Sequence, residues 1–402
     1  MKELNKPAVE KLWTPAFILI TTAFLFCSTS QQMINNTFAL LIDSLGGSAT
    51  FSGITAGVFA VSAIISRAAS GRIADRHTRK IVLIAGGIIY FCAVIGFAIS
   101  RSFWVLLILR LIQGCGYATF NNAQTIVASD VIPKQRMAEG MGYFTIGLAF
   151  SSAVGSKLAI AVMGDGRFAL LYCVTAGVIG LAFLCCMLCR YQEPPKVPKV
   201  KESLGQIIKS SIEVKALPAS IIALFSYMGM AVGFNFLTLY ASRRGFTNVG
   251  TFYMIAAVMV FVSKLFAGKL RDRFGTFLAM VPFALSGTAA FLIMALSSDK
   301  NVFLLCGALY GMFLGSMLPI LNSEAIQASP PDRRGAAVAT FYIFVDATIG
   351  FGAILLGAIT DRFGFSATFI TASVCIMIAL ILSGILYGGK RSGRKKTSYG
   401  QQ

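Results

Sequence analysis

Residues 65–76 read Ile65-Ser-Arg-Ala-Ala-Ser-Gly-Arg-Ile-Ala-Asp-Arg76, and residues 262–273 read Val262-Ser-Lys-Leu-Phe-Ala-Gly-Lys-Leu-Arg-Asp-Arg273. The two stretches align at an offset of 197, and each closes an apolar run. A second pair of landmarks, Pro133-x-x-Arg136 and Pro331-x-x-Arg334, repeats at 198. Two landmarks at nearly one offset, in a chain of 402 residues, describe a unit that occurs twice and fills the chain.

Working outward from these stretches, the apolar runs can be marked against the roughly 20 residues that a helix needs to cross a bilayer. Twelve emerge: 14–41, 50–71, 81–100, 103–128, 139–163, 168–189, 216–241, 250–268, 276–297, 302–326, 336–359 and 366–388. Amphipathic barrel strands would be shorter and alternating, which rejects a membrane β-barrel. The fold expected is all-α and integral to the membrane, with two six-helix bundles related by a pseudo-two-fold repeat. The first bundle covers 1–189, a linker 190–215, the second bundle 216–389 and a basic tail 390–402.

Composition agrees. Apolar residues make up 56% and charged residues only 13%, against roughly 25% charged in soluble domains. Mean hydropathy is +0.76. A soluble enzyme and a disordered chain are both excluded. The net charge of +19 would suggest nucleic acid in a soluble protein. Here it reads as basic residues gathered on cytoplasmic loops, and no nucleic-acid partner is expected. With the N-terminus inside, 25 of the 35 Lys and Arg fall between spans on the inner side and six on the outer side. Both termini are therefore expected in the cytoplasm, with the first span retained and the chain seated in the inner (plasma) membrane. The linker, RYQEPPKVPKVKESLGQIIKSSIEVK, has prolines near its start. Part of it suits an amphipathic helix on the inner leaflet. The nine cysteines all lie in apolar stretches and His77 is the only histidine. The cysteines read as small buried hydrophobes, with neither disulfides nor a metal site expected.

Gly71-x-x-x-Asp75-Arg76-x-x-Arg79-Lys80 follows the second span. It resembles the signature loop of the major facilitator superfamily. Gly268-x-x-x-Asp272-Arg273-x-Gly275 is a second copy, and Arg110-x-x-Gln113-Gly114 resembles the superfamily's fourth-span motif. Thr78 stands where the signature has glycine, so the turn there is built differently. The resemblance implies a gate: Asp75 would accept hydrogen bonds from free N–H groups at the start of span eleven, near Gly335-Ala336, and hold the cytoplasmic side shut. A helix N-terminus favours an anion, and glycine allows two helices to approach closely. The fifth span has Ser151-Ser152-Ala153-Val154-Gly155 in place of a proline-containing antiporter element, which weakens a multidrug antiporter reading.

Charges at bilayer depth are costly, so each is a functional candidate. Asp346 is the one acid central to a span, and Arg110 and Lys157 lie within spans four and five. Asp346 and Arg110 are the candidates for proton coupling, with Glu324 at the inner end of span ten as the fallback. Arg67 and Lys264 are symmetric and can snorkel to the surface. Uncharged polar residues crowd spans one, four, seven and ten: Gln31, Gln32, Asn35 and Asn36, then Asn121, Asn122 and Gln124, then Tyr227 and Asn235, then Asn322. The superfamily's central cavity is lined by these four spans. The candidates for contact with substrate are therefore Gln32, Asn35, Asn36, Arg110, Asn121, Tyr227, Asn235 and Asn322.

The function expected is secondary active transport of a small solute by alternating access, as proton-coupled export. Proton-coupled uptake of an organic anion, with Arg110 and Lys157 holding a carboxylate, is the alternative. A non-transporting receptor on the same fold is the rival of another class. No phosphate-cradling motif and no catalytic constellation is present in the sequence, so neither an enzyme nor a cofactor is expected. The partners are a small solute, protons and lipid, with the chain monomeric.

Overall fold

The structure, a computed structural model, describes residues 11–76, 78–133, 136–191, 193, 212–246, 249–297, 299–330 and 333–388. The side chains of 68, 71, 72, 74–76, 138, 146, 149, 153 and 335 are outside that description. Regular structure among the described residues is entirely helical. The basic tail and nearly all of the linker lie outside the described residues.

Six helices form the first half: α1 (Pro15–Ser44), α2 (Ala49–Arg76), α3 (Arg79–Ile99), α4 (Phe103–Val131), α5 (Met137–Met163) and α6 (Phe168–Leu188). They coincide with the six expected spans because each apolar run is bounded by short polar or glycine-containing segments that stop the helix. In α5 the stop is Gly164, whose φ of 48° lies in the left-handed region. α3 packs on both α4 and α6. The approach to α4 is very close: a Cβ placed on Gly116 would collide with the backbone of Tyr90. Any larger residue would drive these helices apart.

The second half opens with span seven, which is broken. Its pieces are α7 (Leu217–Ser226), α8 (Met228–Asn235) and α9 (Leu237–Arg243). The bend at Tyr227 is 41°, and Phe236, at φ −121° and ψ −20°, makes the second break. A broken helix releases carbonyls that must find donors in an apolar medium. Tyr253 supplies one by donating its hydroxyl to the Gly233 carbonyl at 2.9 Å. Then follow α10 (Val249–Phe274), α11 (Thr276–Leu296), α12 (Lys300–Ala328) and α13 (Arg334–Tyr387). At 1.5 Å per residue, the 54 residues of α13 span about 80 Å, far more than the roughly 30 Å of a bilayer core. Gly364, at φ 79° and ψ 175°, interrupts it. Among the described residues, ten helices are long and apolar enough to cross, or eleven with the bent pair of span seven. Gly364 falls between the expected spans 336–359 and 366–388.

The chain separates into two compact units. Unit 1 is Met1–Asn35 with Val61–Lys199, and unit 2 is Asn36–Ala60 with Val200–Gln402. The hairpin formed by the end of α1 and the start of α2 thus belongs with the second half of the sequence. In unit 2, α12 packs on α10 and α11, and α13 packs on α7 and α11.

Cysteine exposure corrects the expectation in part. Cys27, Cys186, Cys189 and Cys306 are buried, but Cys92 and Cys173 are exposed. These two sit on the outward faces of α3 and α6, where an apolar thiol suits lipid as well as it suits a core. All nine are free thiols.

Gly275 caps α11 at φ 85° and ψ 170°, a region essentially closed to side chains. Gly275→Ala is expected to cost about 1–3 kcal/mol and to lower the melting temperature in detergent. An unchanged melting temperature would contradict this conformation.

The linker re-enters the fold at Glu213, the N-cap of a single 3-10 turn, Val214–Ala216. The Glu213 carboxylate takes a hydrogen bond from Arg333 Nε and another from the Lys215 backbone N–H at 3.1 Å. Its own N–H donates to Thr340 Oγ1 at 2.9 Å. Arg333 also donates to the Ile212 carbonyl at 2.9 Å. The Arg333 guanidinium, and after it the Lys215 N–H, hold the Glu213 carboxyl below the usual glutamate range. A depressed pKa means that this attachment is complete above the ordinary value of about 4.3 and is lost as pH falls through the lower, folded value. A spin label at Ile212→Cys should stay immobile at neutral pH and gain mobility only in acid. Mobility that changes between pH 6 and 8 would contradict it.

Candidate functional site

The polar residues of α1, α3 and α4 form one buried network in unit 1. Arg110 is 2% exposed. Its NH1 donates to Gln113 Oε1 at 3.0 Å and its NH2 to Asn35 Oδ1 at 3.4 Å. Gln113 Nε2 donates to Gln31 Oε1 at 2.7 Å, and Gln31 Nε2 donates to Asn35 Oδ1 at 2.9 Å. The Tyr90 hydroxyl donates to Gln31 Oε1 at 3.4 Å and shares a hydrogen bond with Ser30 Oγ at 2.9 Å. Helical spacing builds this set. Gln31 and Asn35 are four apart on α1, and Arg110 and Gln113 three apart on α4, so each pair shares a face. Three amide oxygens point at donors, so a cation is held among neutral dipoles in a low-dielectric interior.

Other expected contact residues fall elsewhere. Gln32 turns toward α5, where a Cβ built on Gly155 would lie 3.1 Å from its own. Asn121 lies beside Cys27 of α1. Asn122 ties α4 to α2 through Ser70 Oγ at 3.0 Å and the Arg67 carbonyl at 3.4 Å. Asn36 is buried and belongs to unit 2. Tyr227 is buried at the first break of span seven. Asn235 donates to the Ala231 carbonyl of its own helix at 2.9 Å. Asn322 on α12 keeps a buried Oδ1 with no hydrogen-bond partner among the described residues. Lys157 is exposed on α5 and does not join the Arg110 network.

Asp346 is half-buried on α13. Glu324 is tied down: Arg271 NH2 lies 3.2 Å away and Thr276 Oγ1 donates to it at 2.5 Å. Arg271 also donates to Ser323 Oγ at 2.7 Å. Arg271 thus locks the end of α10 to the end of α12, and Glu324 serves as its structural counter-ion.

The signature loops are described in part. The side chains of Gly71, Asp75 and Arg76, and of Gly335 at the expected partner helix, lie outside the described residues. Arg79, at the start of α3, pairs with Asp130 near the end of α4, both largely buried. The Lys80 backbone N–H donates to Glu193 Oε1 at 3.3 Å. In the second copy, Asp272 is 77% exposed and lies 3.6 Å from Arg271. Arg273 sits over the Phe274 ring at 5.1 Å. A Cβ on Gly268 would meet nothing within 4 Å. Gly275 is required instead by its positive φ.

Two of the network's members were visible in the sequence only as part of a group or a motif, Gln31 and Gln113. Tyr90 was missed, because one tyrosine in an otherwise apolar α3 reads as core. Asp361 was missed too, although Gly357-Ala-Ile-Thr-Asp361-Arg362-Phe363-Gly364 repeats the spacing of Gly268–Gly275.

Apolar helices of bilayer length, a duplicated loop and a buried polar centre on α1 and α4 define a polytopic membrane transporter. Sequence comparison places it more narrowly. The Major Facilitator Superfamily profile matches residues 20–298 and 263–402, and the chain belongs to that superfamily. An uncharacterized MFS-type transporter of Burkholderia mallei (strain SAVP1) is 27% identical over 357 residues, covering 86% of this chain and 85% of the relative. The staphylopine export protein of Staphylococcus aureus (strain Mu50 / ATCC 700699) is 22% identical over 389 residues, covering 92% and 95%. Among solved structures, a bacterial homolog of the human lysosomal transporter Spinster, inward-facing and occupied, aligns with a TM-score of 0.77 at 14% identity over 94% of this chain and 97% of that one. The nucleoside transporter NupG aligns at 0.74 and 13% identity, over 92% and 98%. These likenesses establish the fold.

Proposed function

We propose that the chain is a proton-coupled secondary transporter of the inner membrane that exports a small anionic or zwitterionic solute by alternating access. The observation that carries this reading is the Arg110 network. A carboxylate is a stronger acceptor than an amide oxygen, so a substrate carboxylate can take the place of Asn35 Oδ1, the longer of the two arginine contacts at 3.4 Å. Asp346 is the proton carrier: it is the acid at the centre of a span, where an ionisable group is a functional candidate by default. Coupling follows if substrate and proton favour different conformations. Asp75 is the cytoplasmic gate. The direction draws support from the export protein among the relatives.

The test is flux in proteoliposomes, with staphylopine and a panel of amino acids and di- and tricarboxylates as probes. Saturable flux that moves solute against an imposed proton gradient supports export by antiport. Movement of solute together with protons would replace it by uptake, and binding without flux would leave a receptor.

A further inference from the structure

We propose that Asp361 is the latch that holds the transporter shut on the face opposite the Asp75 loop, by capping the N-terminus of α2. The inference rests on the alternating-access reading above.

The Asp361 carboxylate accepts two of the free N–H groups at the start of α2, from Ala49 at 2.9 Å and Thr50 at 2.7 Å, while that of Phe51 donates to Ser48 Oγ at 3.1 Å. These donors have no intrahelical partner, and the helix dipole adds to their attraction for an anion. Asp361 belongs to a G-x-x-x-D-R-x-G stretch, residues 357–364, that repeats the pattern of residues 268–275. Its terminal Gly364 has φ 79° and ψ 175°, nearly the conformation of Gly275 in the second copy, φ 85° and ψ 170°. The two loops are therefore one device folded alike. They differ in state: Asp272 is 77% exposed, while Asp361 is engaged on a helix end. α2 runs from Ala49 to Arg76, so its capped end lies at the opposite membrane face from the Asp75 loop.

The surrounding contacts fit a seam that closes and opens. A Cβ on Gly53 would collide with the Ala353 carbonyl oxygen, and one on Gly357 would lie 2.5 Å from that of Ala49. Small residues thus let α2 and α13 touch backbone to backbone directly beside the cap. Arg243, at the end of α9, pairs with Asp43 at the end of α1 at 2.6 Å. Together these hold the 36–60 hairpin in unit 2, although the rest of α1 and α2 belongs to unit 1. Opening this face requires the hairpin to leave unit 2, and the Asp361 cap is the charge-assisted contact that must break.

The experiment uses the full chain with its native cysteines replaced and a reporter at Ala56→Cys, buried in the seam. A membrane-impermeant maleimide is applied from the face that carries Asp361. Asp361→Ala should raise the labelling rate about tenfold or more, because two charge-assisted hydrogen bonds are lost. Asp361→Asn keeps the shape and one acceptor, should give a smaller rise, and decides the matter if the alanine form does not fold. Solute flux measured on the same preparations should fall. Labelling unchanged in a monodisperse Asp361→Asn protein overturns the latch, whatever the flux. Labelling that rises while the parent protein moves no solute keeps the latch and removes the transport reading.

Discussion

Asp346→Asn should reduce the solute accumulation driven by a pH gradient to a ratio of about 1, because an amide cannot carry the proton that links the two gradients. Exchange of solute down its own gradient should survive, since asparagine keeps the size and much of the hydrogen bonding of aspartate. The effect is expected to be this complete because Asp346 is the acid at the centre of a span, and Glu324 is held by Arg271 and Thr276. Counterflow of labelled solute is the measurement for the surviving half. A mutant that still concentrates solute would make Asp346 a structural partner.

Arg110→Gln should weaken binding of an anionic solute by about 1.5–3 kcal/mol, the worth of hydrogen bonds to a charged group, or roughly 10- to 150-fold. Glutamine can still accept and donate toward Gln113 and Asn35, so the packing of α1 on α4 is preserved better than with a truncation. Neutral solutes should lose little. Calorimetric titration of an anionic and a neutral probe separates these outcomes. Equal losses for both would mean that Arg110 only braces the network of Gln31, Asn35, Gln113 and Tyr90.

Asp346 and Asp361 lie on the same helical segment, α13 before its break at Gly364. Fifteen residues separate them, about 22 Å along the axis. One rigid element therefore carries both the proposed proton site and the proposed latch. A change of protonation that favours a different seating of α13 is felt at the α2 cap without any further relay.

Much of this architecture could be read from the sequence. A bilayer-length apolar run bounded by basic residues has few alternatives to a helix, and the 65–76 and 262–273 repeat marked the two halves. The network was partly legible because Gln31 with Asn35, and Arg110 with Gln113, have the spacing of one helix face. Tyr90 was not, since nothing local distinguishes a tyrosine that reaches a polar partner from one that fills a core. The breaks at Tyr227 and Phe236 were hidden because Gly229 and Gly233 in an apolar run also suit close packing, and the donor that makes a break tolerable, Tyr253, is on another helix. Asp361 lies in a segment expected to be an outer loop, where an acid attracts no notice; only its hydrogen bonds to Ala49 and Thr50 reveal it. The regrouping of 36–60 into unit 2 is a property of tertiary contacts, and no residue in that hairpin announces it.

The central claim is that protons drive the solute. It is tested most directly in inverted membrane vesicles incubated with a pooled mixture of small carboxylates and amino acids, their contents read by mass spectrometry. With an acidic lumen, vesicles bearing the protein should accumulate at least one anionic or zwitterionic solute and release it when an ionophore collapses the gradient, while Asp346→Asn vesicles should match those lacking the protein. Accumulation that is equal in Asp346→Asn vesicles, or that appears only when the medium is the acidic side, would contradict the account.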